Sequence, residues 1–253
     1  MPLIFAVLVF HSVVLMKANY WSQPIGWLMV VIFAFSIVAA LISLFRLIGA
    51  GRTVKATVIS KTAFTDMKVL LVELEMQKGW KGHKPGQFAF VGSPKRWSRH
   101  PFTIASHWNE NTKRVSLIVK ELGDATQDLD KKLPVGAELV VEGPNGSFNF
   151  EDSKQRQIWI SGGVGVTPFL AGMKSRTAEG DSRSVDHFHS DAIYSEKAYG
   201  LMQADAANSG VNLHLFITPK DGRLTGEKIR AFVLDWKSAS IWFCEPTAFA
   251  AAL

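Results

Sequence analysis

The sequence predicts three parts in chain order: two N-terminal transmembrane helices, an antiparallel six-stranded β-barrel, and an α/β unit built on a parallel sheet. Three observations carry this. Apolar residues crowd the first fifty or so positions. Six short β-rich runs then follow within about a hundred residues, separated by Gly, Pro and Asn. Beyond residue 155, apolar runs recur at intervals of roughly 25–30 residues with helix-like or polar stretches between them, the βαβ pattern. The expected parts are residues 1–50, 53–152 and 155–253.

Residues 25–48, "IGWLMVVIFAFSIVAALISLFRLI", contain one charge, Arg46. At 1.5 Å per residue such a run crosses a hydrocarbon core of about 30 Å. The upstream run "LIFAVLVFHSVVLM" reaches only about 21 Å as a helix, short for a span. It has no basic region ahead of it and no small-residue cleavage site behind, so a signal peptide is disfavoured. Tyr20, Trp21 and Trp27 form an interfacial aromatic belt between the two runs. Arg46, Arg52, Lys55 and Lys61 follow the second run, which places that end and everything after it in the cytoplasm. The expectation is a multi-pass protein of the inner or plasma membrane.

The barrel strands are read as "VKATVIS", "KVLLVELEM", "QFAFVG", "FTIAS", "RVSLIVK" and "ELVVEGP", with turns at "KPGQF" and "GPNGSF". The parallel strands are "QIWISGG", "SVDHFHS", "NLHLFIT" and "SIWFCEP". Composition sets the remaining bounds. The net charge of +6 comes without a long Lys/Arg run interleaved with aromatics, so nucleic acid is not expected as a partner. The single cysteine, Cys244, excludes an intrachain disulfide, and no Cys/His pairs sit at zinc spacing.

"ISGGVGVTPFLAGMKS" reads as a strand, a glycine-rich turn and a helix start. Gly162, Gly163 and Gly165 let backbone N–H groups approach a pyrophosphate, and Pro168 after Thr167 suits a first helical turn. "SIWFCEP" ends a late strand of the same sheet. Both motifs therefore sit at carboxyl ends of strands, where open α/β sheets bind ligands.

Taken in order, "RHPFTIAS", "VKELGDAT", "GGVGVTP" and "FCEP" resemble the ferredoxin–NADP reductase superfamily. The match is closer still to the dehydrogenase half of ferric reductases and NADPH oxidases. The resemblance spans about 200 residues. It implies an FAD-binding barrel, an NAD(P)-binding α/β domain, and a membrane-bound oxidoreductase. Such an enzyme passes electrons from NAD(P)H through FAD to membrane haem, then to ferric iron, oxygen or another acceptor.

By resemblance, Arg99 would neutralise the FAD pyrophosphate, and His100, Pro101 and Phe102 would line the flavin. Thr103 would hydrogen-bond near the flavin N5. Lys120, Gly123, Asp124, Ala125 and Thr126 would serve the FAD phosphates. Gly162, Gly163, Gly165, Thr167, Pro168 and Ser190 would take the nicotinamide dinucleotide, with Cys244 beside the nicotinamide ring. Thr103 and Cys244 are thus the catalytic candidates. His11, an ionisable residue in an apolar helix, matches the position of an outer haem b ligand.

Three departures qualify the resemblance. Where the family reads "CGP", this chain has Cys244-Glu245-Pro246, adding bulk and negative charge beside the flavin. The short first run and the ending "TAFAAAL" lead to the expectation of a fragment, with the NAD(P) domain truncated at its C-terminal side and haem sites incomplete. The resemblance leans to NADPH, whereas Asp191 after Ser190 is the residue type that favours the NADH ribose, so the cofactor is written NAD(P)H. The alternatives are an anchored reductase of a separate ferredoxin-like carrier, whose acidic surface would suit the +6 charge, and a truncated non-catalytic relative.

Overall fold

Alternation builds the barrel. In the strand Val69–Met76, Leu70, Val72, Leu74 and Met76 are buried and the residues between them face outward. The structure, a computed structural model, describes residues 2–45, 49–94, 98–124 and 126–244. The chain forms two compact units, Met1–Thr53 and Val54–Leu253.

In the larger unit, β1 (Thr53–Phe64), β2 (Val69–Met76), β3 (Phe88–Gly92), β4 (His100–Thr103), β5 (Arg114–Lys120) and β6 (Glu138–Asn145) form one antiparallel sheet in the order β4-β3-β6-β1-β2-β5. Its inward side chains, among them Ala56, Leu74, Val91, Leu117 and Val141, make a single core. A lone bridge between Ile104 and Leu117 joins the two edge strands and closes the barrel.

That closure differs from the sequence expectation. The fourth strand was expected as "FTIAS", yet it begins at His100 and pairs with β3 through His100–Val91, Pro101–Phe90, Phe102–Ala89 and Thr103–Phe88. Pro101 has no N–H to give, and it is tolerated because β4 has a ladder on one side only. Above Ile104 the seam between β4 and β5 is unzipped.

After the barrel, β7 (Arg156–Gly162), β8 (Ser184–Asp191), β9 (Val211–Ile217) and β10 (Ser240–Cys244) form a parallel sheet in the order β10-β7-β8-β9. The helix in the barrel's last connection is α3 (Leu129–Lys132), which follows the N-terminal helices α1 (Pro2–Leu15) and α2 (Pro24–Leu44) in chain order. Helices α4 (Thr167–Glu179) and α5 (Glu196–Ser209) cover one sheet face through Phe169, Met173, Tyr199 and Met202. The short α6 (Thr218–Asp221) leads into α7 (Gly226–Phe232), whose Ile229 packs with Ile158, Ile160 and Phe188 on the other face. Strand order reverses between β7 and β10, the place where open sheets leave a crevice at their carboxyl ends.

The smaller unit holds α1 (Pro2–Leu15) and α2 (Pro24–Leu44). Gly26 is the one buried residue of α2, because a Cβ there would lie 2.1 Å from the Tyr20 carbonyl oxygen. The rest of α2 is not the interior of a protein core. Among the described residues α2 is the one helix long and apolar enough to cross a membrane; α1, at 14 residues, is not. Arg46, Ala125 and Glu245 lie outside the described residues.

Candidate active site

The unzipped seam is the site. A cleft of about 410 Å³ runs between β4 and the end of β5, lined by His100, Pro101, Phe102 and Thr103 on one side and Ile118 to Lys120 on the other. Leu122, Gly123, Asp124 and Thr126 form one end, and Val164 and Thr167 of the α/β lobe complete it. Thus the residues "HPFT", "GD" and "T" of the two barrel motifs line one cleft with Val164 and Thr167 of the glycine-rich turn.

Polar groups converge on this cleft unsatisfied. The side chains of His100, Thr103 and Lys120 have no hydrogen-bond or ion-pair partner among the described residues. Lys120 is half-buried, and its Nζ lies 4.0 Å from where a Cβ on Gly163 would be. A half-buried ammonium without a counterion is costly, so a ligand that brings negative charge gains there. Gly123 has φ +131°, a conformation open to glycine, and nothing crowds it. In the same loop the Thr126 hydroxyl accepts the Leu122 N–H at 2.9 Å, so it braces the turn that presents the backbone of Gly123 and Asp124.

The glycine-rich turn is the shared wall of the two lobes. Gly163 takes φ +50°, and the 3-10 turn Gly163–Val166 runs directly into α4. The Thr167 hydroxyl donates to the Val164 carbonyl at 2.6 Å, and no side chain caps the first amides of α4. The uncapped N-terminus of α4, with the positive end of its dipole, therefore lies at the glycine turn beside Pro168. Gly162 ends β7, and Gly165 lies within the turn. Cys244 ends β10 opposite Ser161, on the sheet face that carries Trp242 and the aromatic core.

Three expected residues are placed differently. Arg99 does not line the cleft: its guanidinium pairs with Glu142 of β6 at 2.5 Å, against Gly92. Ser190 is buried and lines neither this cleft nor the pocket beside it. Asp191 turns inward. Its side chain is 9 % exposed, and Oδ1 accepts the N–H groups of Ala192 (2.7 Å) and Ile193 (3.3 Å). The carboxylate that composition alone assigns to a ribose is occupied by its own loop.

A buried polar cluster of Ser161, His187 and His189, unmarked by any motif, lies beneath the turn. Ser161 Oγ sits 2.7 Å from His187 Nε2 and 2.9 Å from His189 Nδ1, with both rings buried. Burial lowers the His189 pKa to about 4, against a smaller opposing effect of Asp191, and lowers His187 well below the ordinary value. Both are neutral near pH 7. The signal was present as the i, i+2 spacing in "HFH", which puts both rings on one face of β8.

The unzipped seam, with Lys120 and the glycine turn at its walls, has the chemistry of a site for a phosphate-bearing ligand. Comparison with known proteins makes this specific: residues 54–167 match the family described as FAD-binding domain. The chain is similar to relatives named ferric reduction oxidase, respiratory burst oxidase homolog and flavohemoprotein.

An NADPH oxidoreductase of Mycobacterium tuberculosis is 24% identical over 185 residues, covering 68% of this chain and 49% of the relative. Ferric reduction oxidase 4 of Arabidopsis thaliana is 28% identical over 151 residues, covering 53% and 22%. The chain thus spans half or less of the length of these relatives. Among solved structures, the Amycolatopsis cytochrome P450 reductase GcoB superposes with a TM-score of 0.66 at 22% identity, over 79% of this chain and 64% of that one. That likeness is one of fold.

Proposed function

We propose that the chain is the electron-entry part of a membrane-bound NAD(P)H oxidoreductase that delivers electrons to membrane haem b, and onward to ferric iron, oxygen or another acceptor. The observation that carries this reading is the cleft where the unpartnered His100, Thr103 and Lys120 meet Val164 and Thr167 of the glycine turn. FAD, when bound, supplies the conversion between a two-electron hydride donor and single-electron acceptors.

The chain's own residues then have separable tasks. Lys120 and the backbone at Gly123 and Asp124 hold the FAD phosphates, with Ala125 and Thr126 completing the loop. His100, Pro101 and Phe102 shape the flavin side of the cleft, and the Thr103 hydroxyl is free to bond the flavin edge. Arg99 acts from behind as a brace through Glu142. The open amides after Gly163 and Gly165, with Thr167 and Pro168, hold the dinucleotide pyrophosphate. Cys244 flanks the nicotinamide from the end of β10. Aligning the two rings and excluding water is the whole task, so no acid–base residue is needed for the transfer.

The finer architecture belongs to the same proposal. Residues 1–50 form a two-helix membrane part, 53–152 the FAD barrel and 155–253 the NAD(P) domain, with the soluble parts cytoplasmic. Support comes from the lipid-like exposure of α2 and from relatives named ferric reduction oxidase and respiratory burst oxidase. His11, exposed on α1, is the haem ligand this chain offers. A second reading, reductase of a separate carrier protein, is favoured by a relative named as the electron transfer component of anthranilate 1,2-dioxygenase, from Acinetobacter baylyi.

The test is anaerobic. The chain is purified in detergent, loaded with FAD, and titrated with NADH or NADPH while the visible spectrum is recorded. Bleaching of the flavin band is expected; a bound flavin that never bleaches would refute the reading.

A further inference from the structure

Helix α4 begins at the glycine turn and touches the barrel at two levels. Thr167 lines the flavin cleft opposite Thr103. Seven positions on, and therefore on nearly the same helix face, Lys174 reaches the barrel again. Its Nζ donates to the carbonyl oxygen of Ala105 at 3.3 Å, two residues beyond Thr103 along the same strand path. The ammonium is also 3.7 Å from Asp205 of α5. Burial pushes the Asp205 pKa up, and Lys174 opposes that push.

The surroundings make this contact consequential. Lys174 and Asp205 border a small pocket of about 120 Å³ where the lobes meet. Its walls are mostly apolar, with Leu71 and Ile118 from the outer barrel face and Leu170 and Met202 from the helices, and Lys120, His189 and Asp191 also reach it. Apolar packing is not directional and lets one lobe slide on the other. A charge-assisted hydrogen bond to a backbone carbonyl fixes a register. Ala105 itself is fully buried and bonded through its N–H to the Ser116 carbonyl at 2.8 Å.

We propose that Lys174 is a positioning residue: it sets the register of α4 on the barrel, and with it the separation between the dinucleotide turn and the flavin-facing Thr103. The proposal rests on the FAD and NAD(P)H reading above.

Lys174→Met keeps the apolar stem and removes the donor; Lys174→Arg restores one. Three quantities are measured on the full-length chain in detergent. These are FAD affinity, single-turnover flavin bleaching with its long-wavelength charge-transfer absorbance, and hydrogen exchange of the amides at 104–106 and 167–174 without flavin. In Lys174→Met, FAD affinity is expected to stay at the wild-type value while bleaching slows about tenfold or more and the charge-transfer band weakens. Exchange at both segments quickens, and Lys174→Arg recovers much of each loss.

Wild-type bleaching and exchange in Lys174→Met would overturn the proposal. If Lys174→Met does not fold, Asp205→Asn carries the same test: slower bleaching and faster exchange are expected, and no change in either refutes it. Failure of the wild-type chain to bleach would instead count against the parent reading, and the exchange measurement would still decide the role of Lys174.

Discussion

At the scale of single residues, composition names a candidate and geometry decides its task. Asp191 illustrates the difference. An acidic residue at the end of the second parallel strand suggests ribose recognition, but its carboxylate already accepts the amides of Ala192 and Ile193. Removing it should therefore cost loop stability and leave cofactor choice alone. Asp191→Ala is expected to lose about 1–2 kcal/mol in urea unfolding, as for a lost cap of two amides, with the NADH/NADPH preference unchanged. A reversed preference would restore Asp191 to the nucleotide site. Arg99 makes the same point from the other side: a cation beside a flavin motif pairs with Glu142 of β6.

At the scale of elements, the barrel and sheet were legible because period-two burial and glycine punctuation are local signals. The six barrel strands and four parallel strands all occur where alternation or apolar runs placed them. What the sequence obscured was the start of β4. Arg99, His100 and Pro101 read as a loop before a strand, since proline removes a ladder donor. His100 and Pro101 are strand because the seam on that side is open, and the openness is the cleft. Lys174 was equally hidden: a lysine in mid-helix carries no local mark of its reach to Ala105, which depends on how two lobes pack.

The elements also predict a pH response. His83, in the β2–β3 connection, accepts no proton easily: with Nε2 bonded to the Ser106 carbonyl at 2.9 Å, its Nδ1 is buried without a partner. Burial lowers its pKa from 6.5 to about 4, as for His189 in β8. The unfolded chain binds these protons first, so the stability is complete above pH 6.5 and is lost as pH falls toward 4. Each histidine accounts for up to about 3 kcal/mol over that window. Urea midpoints should drop steeply between pH 7 and pH 5, and His83→Gln should flatten the drop. Equal midpoints at both pH values would show that neither ring is buried neutral.

At the scale of the molecule, apolar exposure is divided very unevenly. Large exposed hydrophobics such as Phe10, Trp27, Phe35 and Phe45 crowd the Met1–Thr53 unit, whereas Val54–Leu253 encloses three buried cores of its own. Helix α2, 21 residues without a charge, is exposed along nearly its whole length and is long and apolar enough to cross a membrane, which is the support for placing it in lipid in the proposed function. The two units should then separate by solvent. Expressed alone, Val54–Leu253 is expected to remain in the aqueous phase of a detergent phase partition and to bind FAD there, because the cleft from His100 to Thr167 lies wholly within it. The intact chain should move to the detergent phase with its flavin. Partition of Val54–Leu253 into detergent would mean that its own surface, and not α2 alone, meets the membrane.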